Sequence, residues 1–166
     1  MKIKSLVYLA SIAVILLCTS CASEKYTAIE PIGIDEGRCD GVGEFRWNTE
    51  YSVVEQFPNA KENETGNLFV ENIGLFGCVG NIDFLFKDGL LNGAQYTFAQ
   101  DVGAEAYERI LGLLKEKYGE EVRWEIEGFP KPQCYWSSVP MTGATEDAGI
   151  LLMMRADGIV VLTFMG

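Results

Sequence analysis

The chain has 166 residues, with 24 acidic against 13 basic side chains, no histidine, five cysteines and a formal net charge of −11. That length suits one domain, or one small domain and a targeting segment. A surface of this sign repels phosphate backbones and disfavours nucleic-acid binding. The absence of histidine excludes histidine-based triads and most catalytic zinc sites.

At the N-terminus, Lys2 and Lys4 precede an almost wholly apolar run over residues 6–17, LVYLASIAVILL. These are the basic and apolar regions of a secretory signal, and the run falls short of the roughly 20 residues that span a bilayer. Small residues follow, and Thr19-Ser20-Cys21 resembles the lipobox of bacterial lipoproteins. That resemblance implies cleavage after Ser20 and a lipid on Cys21, with a second acyl chain to make the anchoring stable. Residues 1–20 are expected to be the signal peptide, 21–31 a lipid-anchored tether and 32–166 a single domain. Cleavage removes two lysines and no acid, which takes the charge from −11 to −13 over 146 residues. Besides Cys21 the exported part keeps Cys39, Cys78 and Cys134, so at most one pair among these three can bridge. Cys39 with Cys78 is the expected disulfide because they lie closest in sequence, with Cys134 as the alternative partner and three buried thiols as the other possibility.

The first helix is expected after Asn48 or Thr49 as N-cap, with Tyr51, Val53, Val54 and Phe57 on its apolar face and Pro58 ending it. Residues 68–75 read as a strand. Residues 82–90 then form an apolar-rich strand running into the Asp88-Gly89 turn, and residues 151–159 repeat the pattern at Asp157-Gly158. Between the hairpins, Tyr107, Ile110, Leu111, Leu114 and Tyr118 mark one face of a second helix. Glu105 and Glu108 lie early in it, Lys115 and Lys117 late, and Gly119 stops it. Residues 122–127 alternate, which predicts a strand with Val122, Trp124 and Ile126 facing in. Trp47 is likewise expected in the core. Residues 137–148 show no apolar period and read as a loop. The expected fold class is α+β, a tandem repeat of helix plus antiparallel strands over about 40–100 and 101–166, with the helices packed on one sheet face and the other face open.

A lipobox followed by such a repeat resembles the β-lactamase-inhibitor-protein-like fold of small outer-membrane-assembly lipoproteins. The residues carrying the likeness are Gly43-Glu44-Phe45-Arg46-Trp47-Asn48-Thr49, the two Asp-Gly turns and Lys117-Tyr118-Gly119. The resemblance implies a protein that presents a sheet face or loops to another protein.

Tyr135, Trp136 and Met141 are the candidate partner contacts, because aromatic and methionine side chains are enriched at binding hot spots and residues 132–145 carry no charge. Alternation places one of Tyr135 and Trp136 outward. The carboxylate pairs Glu120-Glu121 and Glu146-Asp147 read as solvated acidic surface rather than a glycosidase acid and base. No calcium loop occurs, and Gly41-Val42-Gly43 is too short for a dinucleotide loop. Asn63-Glu64-Thr65 reads as an exposed turn. No catalytic residue, metal or cofactor is expected. The expected function is that of a non-catalytic, lipid-anchored cell-envelope protein that binds another envelope protein. The alternative is a periplasmic carrier or sensor of a small apolar ligand, which Met153 and Met154 would suit. The Ser20-Cys21 junction predicts that Cys21→Ala releases the protein from the membrane fraction or leaves it as uncleaved precursor. Unchanged detergent partitioning and unchanged mass would show that Cys21 carries no lipid.

Overall fold

The computed structural model describes residues 26–32, 39–99, 103–136 and 149–166. The expected signal peptide and lipidation site Cys21, together with Met141, the carboxylates Glu146 and Asp147 and the loop expected over 137–148, lie outside these described residues. In chain order the elements are β1 (Thr27–Ala28), β2 (Pro31–Ile32), β3 (Gly41–Val42), β4 (Phe45–Arg46), α1 (Tyr51–Val54), β5 (Lys61–Glu62), β6 (Leu68–Leu75), β7 (Cys78–Lys87) and β8 (Leu90–Phe98). They continue with α2 (Gly103–Tyr118), β9 (Val122–Trp124), β10 (Gln133–Trp136), β11 (Gly149–Met154) and β12 (Val160–Met165).

The tandem repeat of helix and strands is not what the chain forms. Of the described residues 48% are strand and 17% helix. Nine strands among them make one mixed sheet in the order β1-β6-β7-β8-β12-β11-β10-β9, with β5 also on β6, and β2-β3-β4 make a small second sheet. The first expected helix is a single turn with no side-chain cap. Its backbone is diverted before a helix can start: Asn48 N–H donates to Leu91 O (2.7 Å), Leu91 N–H to Thr49 O (2.8 Å) and Tyr51 N–H to Gly89 O (2.9 Å). Asn48, at φ 67°, is left-handed as well, and Asn59 at φ 63° follows Pro58. One turn cannot present an amphipathic stripe. Phe57, beyond α1, instead packs edge-on against Phe45 and Phe84 at 5.8 and 5.9 Å between ring centres.

The long helix follows its sequence pattern. Ala106, Tyr107, Ile110, Leu111 and Leu114 are buried, and α2 lies against β11 and β12. Gly119, at φ 84°, donates its N–H to Lys115 O at 2.9 Å and closes the helix in the left-handed conformation.

Both Asp-Gly turns close hairpins, by different geometries. Asp88 (φ 53°) and Gly89 (φ 78°) make a two-residue turn between β7 and β8, whose paired positive φ suits the strand twist. At the β11–β12 turn only Gly158 is left-handed, with Gly158 N–H on Arg155 O (2.9 Å) and Arg155 N–H on Ile159 O (2.8 Å). A further tight turn, Phe76-Gly77 between β6 and β7, carried no sequence signal because phenylalanine seldom adopts φ 52°. It is held from outside: Arg109 Nε donates to Phe76 O (3.0 Å), and Lys117 Nζ stands 5.1 Å from the Phe76 ring centre.

The two hairpin regions meet where β12 pairs with β8 from Val160↔Phe98 to Met165↔Gly93. Alternate residues of that register, Phe98, Tyr96 and Ala94 with Val160, Leu162 and Phe164, are fully buried on the inner face. Residues 26–31, read above as tether, are woven into the fold. Thr27 and Ala28 pair in parallel with Ile73 and Gly74, and Ile29 O accepts from the Tyr96 hydroxyl at 3.0 Å.

Two glycines of α2 separate steric from conformational effects. A Cβ on Gly103 would come within 2.1 Å of Gly158 O, whereas one on Gly112 meets nothing within 4 Å. Gly103→Ala is expected to destabilise by about 1–3 kcal/mol through overpacking. Gly112→Ala is expected to stabilise by about 1 kcal/mol through helix propensity. Chemical denaturation of the two variants checks the pair.

Candidate functional interface

Tyr135 and Trp136 are both buried, at 8% and 3% exposure, which corrects the expectation that one projects outward. Trp136 joins the core and donates its indole N–H to Gly119 O at 2.9 Å, fastening β10 to the end of α2. Tyr135 turns to the opposite sheet face, where its ring lies parallel to that of Trp124 at 6.3 Å. Met141 lies outside the described residues.

The exposed apolar side chains sit next door, on the strand expected to face in. Val122, Trp124 and Ile126 are 54%, 41% and 39% exposed and Phe129 is 36%. All three residues of β9 are exposed, so its alternation separates no buried side from an open one; toward α2 the strand is tied through the ion pairs of Arg123 with Glu121 and of Glu121 with Lys115. Register places Arg123 opposite Cys134, whose sulfur lies 3.2 Å from the Tyr107 hydroxyl of α2, while Val122 pairs with Tyr135 and Trp124 with Gln133 on the uncovered side. Trp47, by contrast, packs against the core and donates its indole N–H to Cys39 O at 2.6 Å.

Continuing across the sheet, the register brings Leu151, Met153, Val161 and Met165 to the same face as Tyr135 and Trp124. Farther on, Thr97, Gln95, Asn81 and Asp83 of β8 and β7 occupy that face. That face is therefore apolar toward β9 and mixed around β7, where Val79, Leu85 and Phe69 stand among the polar side chains. Desolvation pushes the Asp83 carboxyl above the usual aspartate range, against the pull of an amide hydrogen bond from Asn63 at 2.8 Å. Asn63 is thus a framework residue: its side-chain oxygen also accepts from the Thr65 and Asn67 amides.

Beneath β9 the carboxylate pair separates. Glu121 has a side chain 2% exposed and pairs with Lys115 at 3.3 Å and with Arg123; Glu120 stays exposed and pairs with Lys115 at 2.7 Å. Burial alone would push the Glu121 pKa up, yet its own backbone amide, Arg123 and Lys115 outweigh that effect and hold it below the ordinary glutamate range. The pair clamps the start of β9 to α2, which leaves no free, burial-tuned acid for hydrolytic chemistry at this point.

The three cysteines of the described fold are separate thiols, so the expected Cys39–Cys78 bridge is not formed, nor one to Cys134. Each sits on a different element with its own neighbours. Cys39 is buried and its thiol is pushed up to about 12 by desolvation. Cys134 is buried beneath α2, and half-buried Cys78 opens β7 near Arg109. Among the described residues no three Cys, Asp or Glu side chains converge as a metal ion would require, and no helix is long and apolar enough to cross a membrane.

No protein-family model, curated protein or solved structure matches the chain.

The clamp generates a test. Because the Glu121 carboxyl is held low, its stabilising effect is present above the unfolded-state value and is lost as pH falls through the lower folded value. Glu121→Gln should therefore lower the melting temperature at neutral pH and lower it less in acid, as scanning calorimetry across pH would register.

Proposed function

We propose that the chain is a non-catalytic, lipid-anchored protein of the bacterial cell envelope that binds another envelope protein. The docking surface is the apolar end of the open sheet face together with β9. The observation that carries this reading is the cluster of Val122, Trp124, Ile126 and Phe129, four large apolar side chains exposed within eight residues. Leaving such a side chain in water forgoes about 1.5–3 kcal/mol each relative to full burial, and contiguous patches of this kind mark interaction sites. By register the patch borders half-buried Leu151 and Met153, with the buried Tyr135 ring stacked beneath Trp124, and such aromatic and methionine content matches that of interface centres. The leader and the Ser20-Cys21 junction support the envelope location, and an acidic mature chain favours a basic partner over nucleic acid. The carrier alternative has less support. The inner side of the sheet is already filled by the fully buried rings of Phe84, Tyr96, Phe98, Tyr107 and Phe164.

The test is to place a photo-crosslinking residue at position 122 in intact cells, identify the adduct, and measure that protein's affinity for purified variants. Trp124→Ala should weaken binding by about 2 kcal/mol while moving the melting temperature little. Trp136→Phe should lower stability and leave the affinity of the folded protein intact. Unaltered affinity in Trp124→Ala would exclude this surface.

A further inference from the structure

The two ends of the large sheet are finished differently. At one end the outer edge of β6 is taken up twice, by β1 in parallel and by β5 in antiparallel pairing. At the other, β9 is the last strand among the described residues. Alternate backbone N–H and C=O groups of a terminal strand point away from the sheet and form a template for another strand. Natural edges are commonly guarded by an outward lysine or arginine. The one cation on β9, Arg123, is committed to Glu121 beneath it.

The surroundings give the missing strand a charge. Lys115 is held by Glu120 and Glu121, and Lys131 by Glu108. Glu125 and Glu127 follow β9 directly, are exposed, and take part in none of the ion pairs among the described residues. Glu108, Glu120 and Glu121 are thus matched by Lys115, Arg123 and Lys131, and Glu125 and Glu127 leave a surplus of two carboxylates beside the edge.

The side-chain alternation of β9 gives the strand a pattern. Val122 and Trp124 lie on the open face, where a directly opposed residue of an added strand would come within about 5 Å and cover them. The intervening residues would fall on the Arg123 side, near the carboxylates.

We propose that the partner docks through an extended segment that adds a strand to the outer edge of β9, its apolar residues alternating with lysine or arginine. This rests on the reading of the surface as a docking site and names what occupies it. Main-chain hydrogen bonds supply affinity, Val122 and Trp124 select the apolar positions, and the surplus carboxylates select the basic ones. A second copy of the chain is the wrong occupant on charge, since each mature copy carries −13.

The experiment uses the mature full-length chain and three synthetic peptides: alternating valine and lysine, the same peptide with glutamate for lysine, and the valine-lysine peptide N-methylated at every second amide. Calorimetry gives affinity, and backbone amide shifts report on residues 122–124. The valine-lysine peptide is expected to bind with shifts at β9, to weaken as salt is raised, and to weaken severalfold against Trp124→Ala. N-methylation, which keeps charge and side chains but removes edge donors, should cost about tenfold or more. Equal binding of the N-methylated peptide overturns strand addition, and equal binding of the glutamate peptide overturns the basic pattern. Failure of the valine-lysine peptide, with crosslinked-partner affinity still dependent on Trp124, overturns this inference and leaves the docking surface standing. Concentration-dependent self-association with shifts at β9 overturns it in favour of a second copy. Loss of the Trp124 dependence itself strikes the docking surface.

Discussion

The antiparallel pairing of β12 with β8 is the constraint on which the rest of the molecule depends. It joins two hairpins far apart in sequence into one sheet, and it buries Phe98, Tyr96, Ala94, Val160, Leu162 and Phe164 in a continuous inner face. Tyr96 and Phe164 meet edge to face at 5.9 Å, and the Tyr96 hydroxyl reaches across the core to Ile29. At about 1.5–3 kcal/mol for each large side chain so buried, this pairing is worth more than the turns or ion pairs around it. Once it forms, the order of the remaining strands follows. The chain leaves β8 through α2, reaches the far edge at β9, and works back through β10 and β11. The first strand after the helix is therefore the outermost.

That topology puts unlike demands on the two faces. The inner face is covered by α2, α1 and the small sheet, and its buried Tyr96 and Tyr107 hydroxyls are satisfied by the backbone carbonyls of Ile29 and Pro132. The outer face divides. Around β7 and β8 it carries Asn81, Asp83, Gln95 and Thr97, with the Asp83 carboxyl held by Asn63; toward β9 it carries tyrosine, tryptophan, methionine and leucine. The polar groups among Val79, Leu85 and Phe69 at the β7 end interrupt the apolar surface there, while the β9 end carries none of them. The Glu121 clamp matters because it fixes β9 against α2 through charges that face inward, leaving the opposite side of the strand apolar.

Local elements were legible wherever the signal was short in range. Residues 103–118 carried both the 3.6-residue period and the charge order of a helix, and they form one. Asp88-Gly89 and Asp157-Gly158 announced hairpins because few residues take the required backbone angles. The short α1 was misread because its apolar spacing is helical, while its backbone donors are used by β8. The Phe76-Gly77 turn was hidden for the converse reason: contacts from Arg109 and Lys117, distant in sequence, hold an unfavourable phenylalanine φ. Tyr135 and Trp136 are both buried where one was expected to project outward, since composition does not reveal which strand becomes the edge.

By itself the sequence determined the charge, the long helix, the hairpin turns and the two-residue alternation of the strands. These depend on neighbours within a few positions, where backbone preference and periodicity act directly. Only the tertiary structure decided that the strands form one mixed sheet rather than two repeated units. It alone decided that β9 lies at the edge, where Val122, Arg123 and Trp124 are all exposed. Alternation defines two faces of a strand equally well; which one is buried depends on where α2 comes to rest, and that is fixed by contacts between residues far apart in the chain.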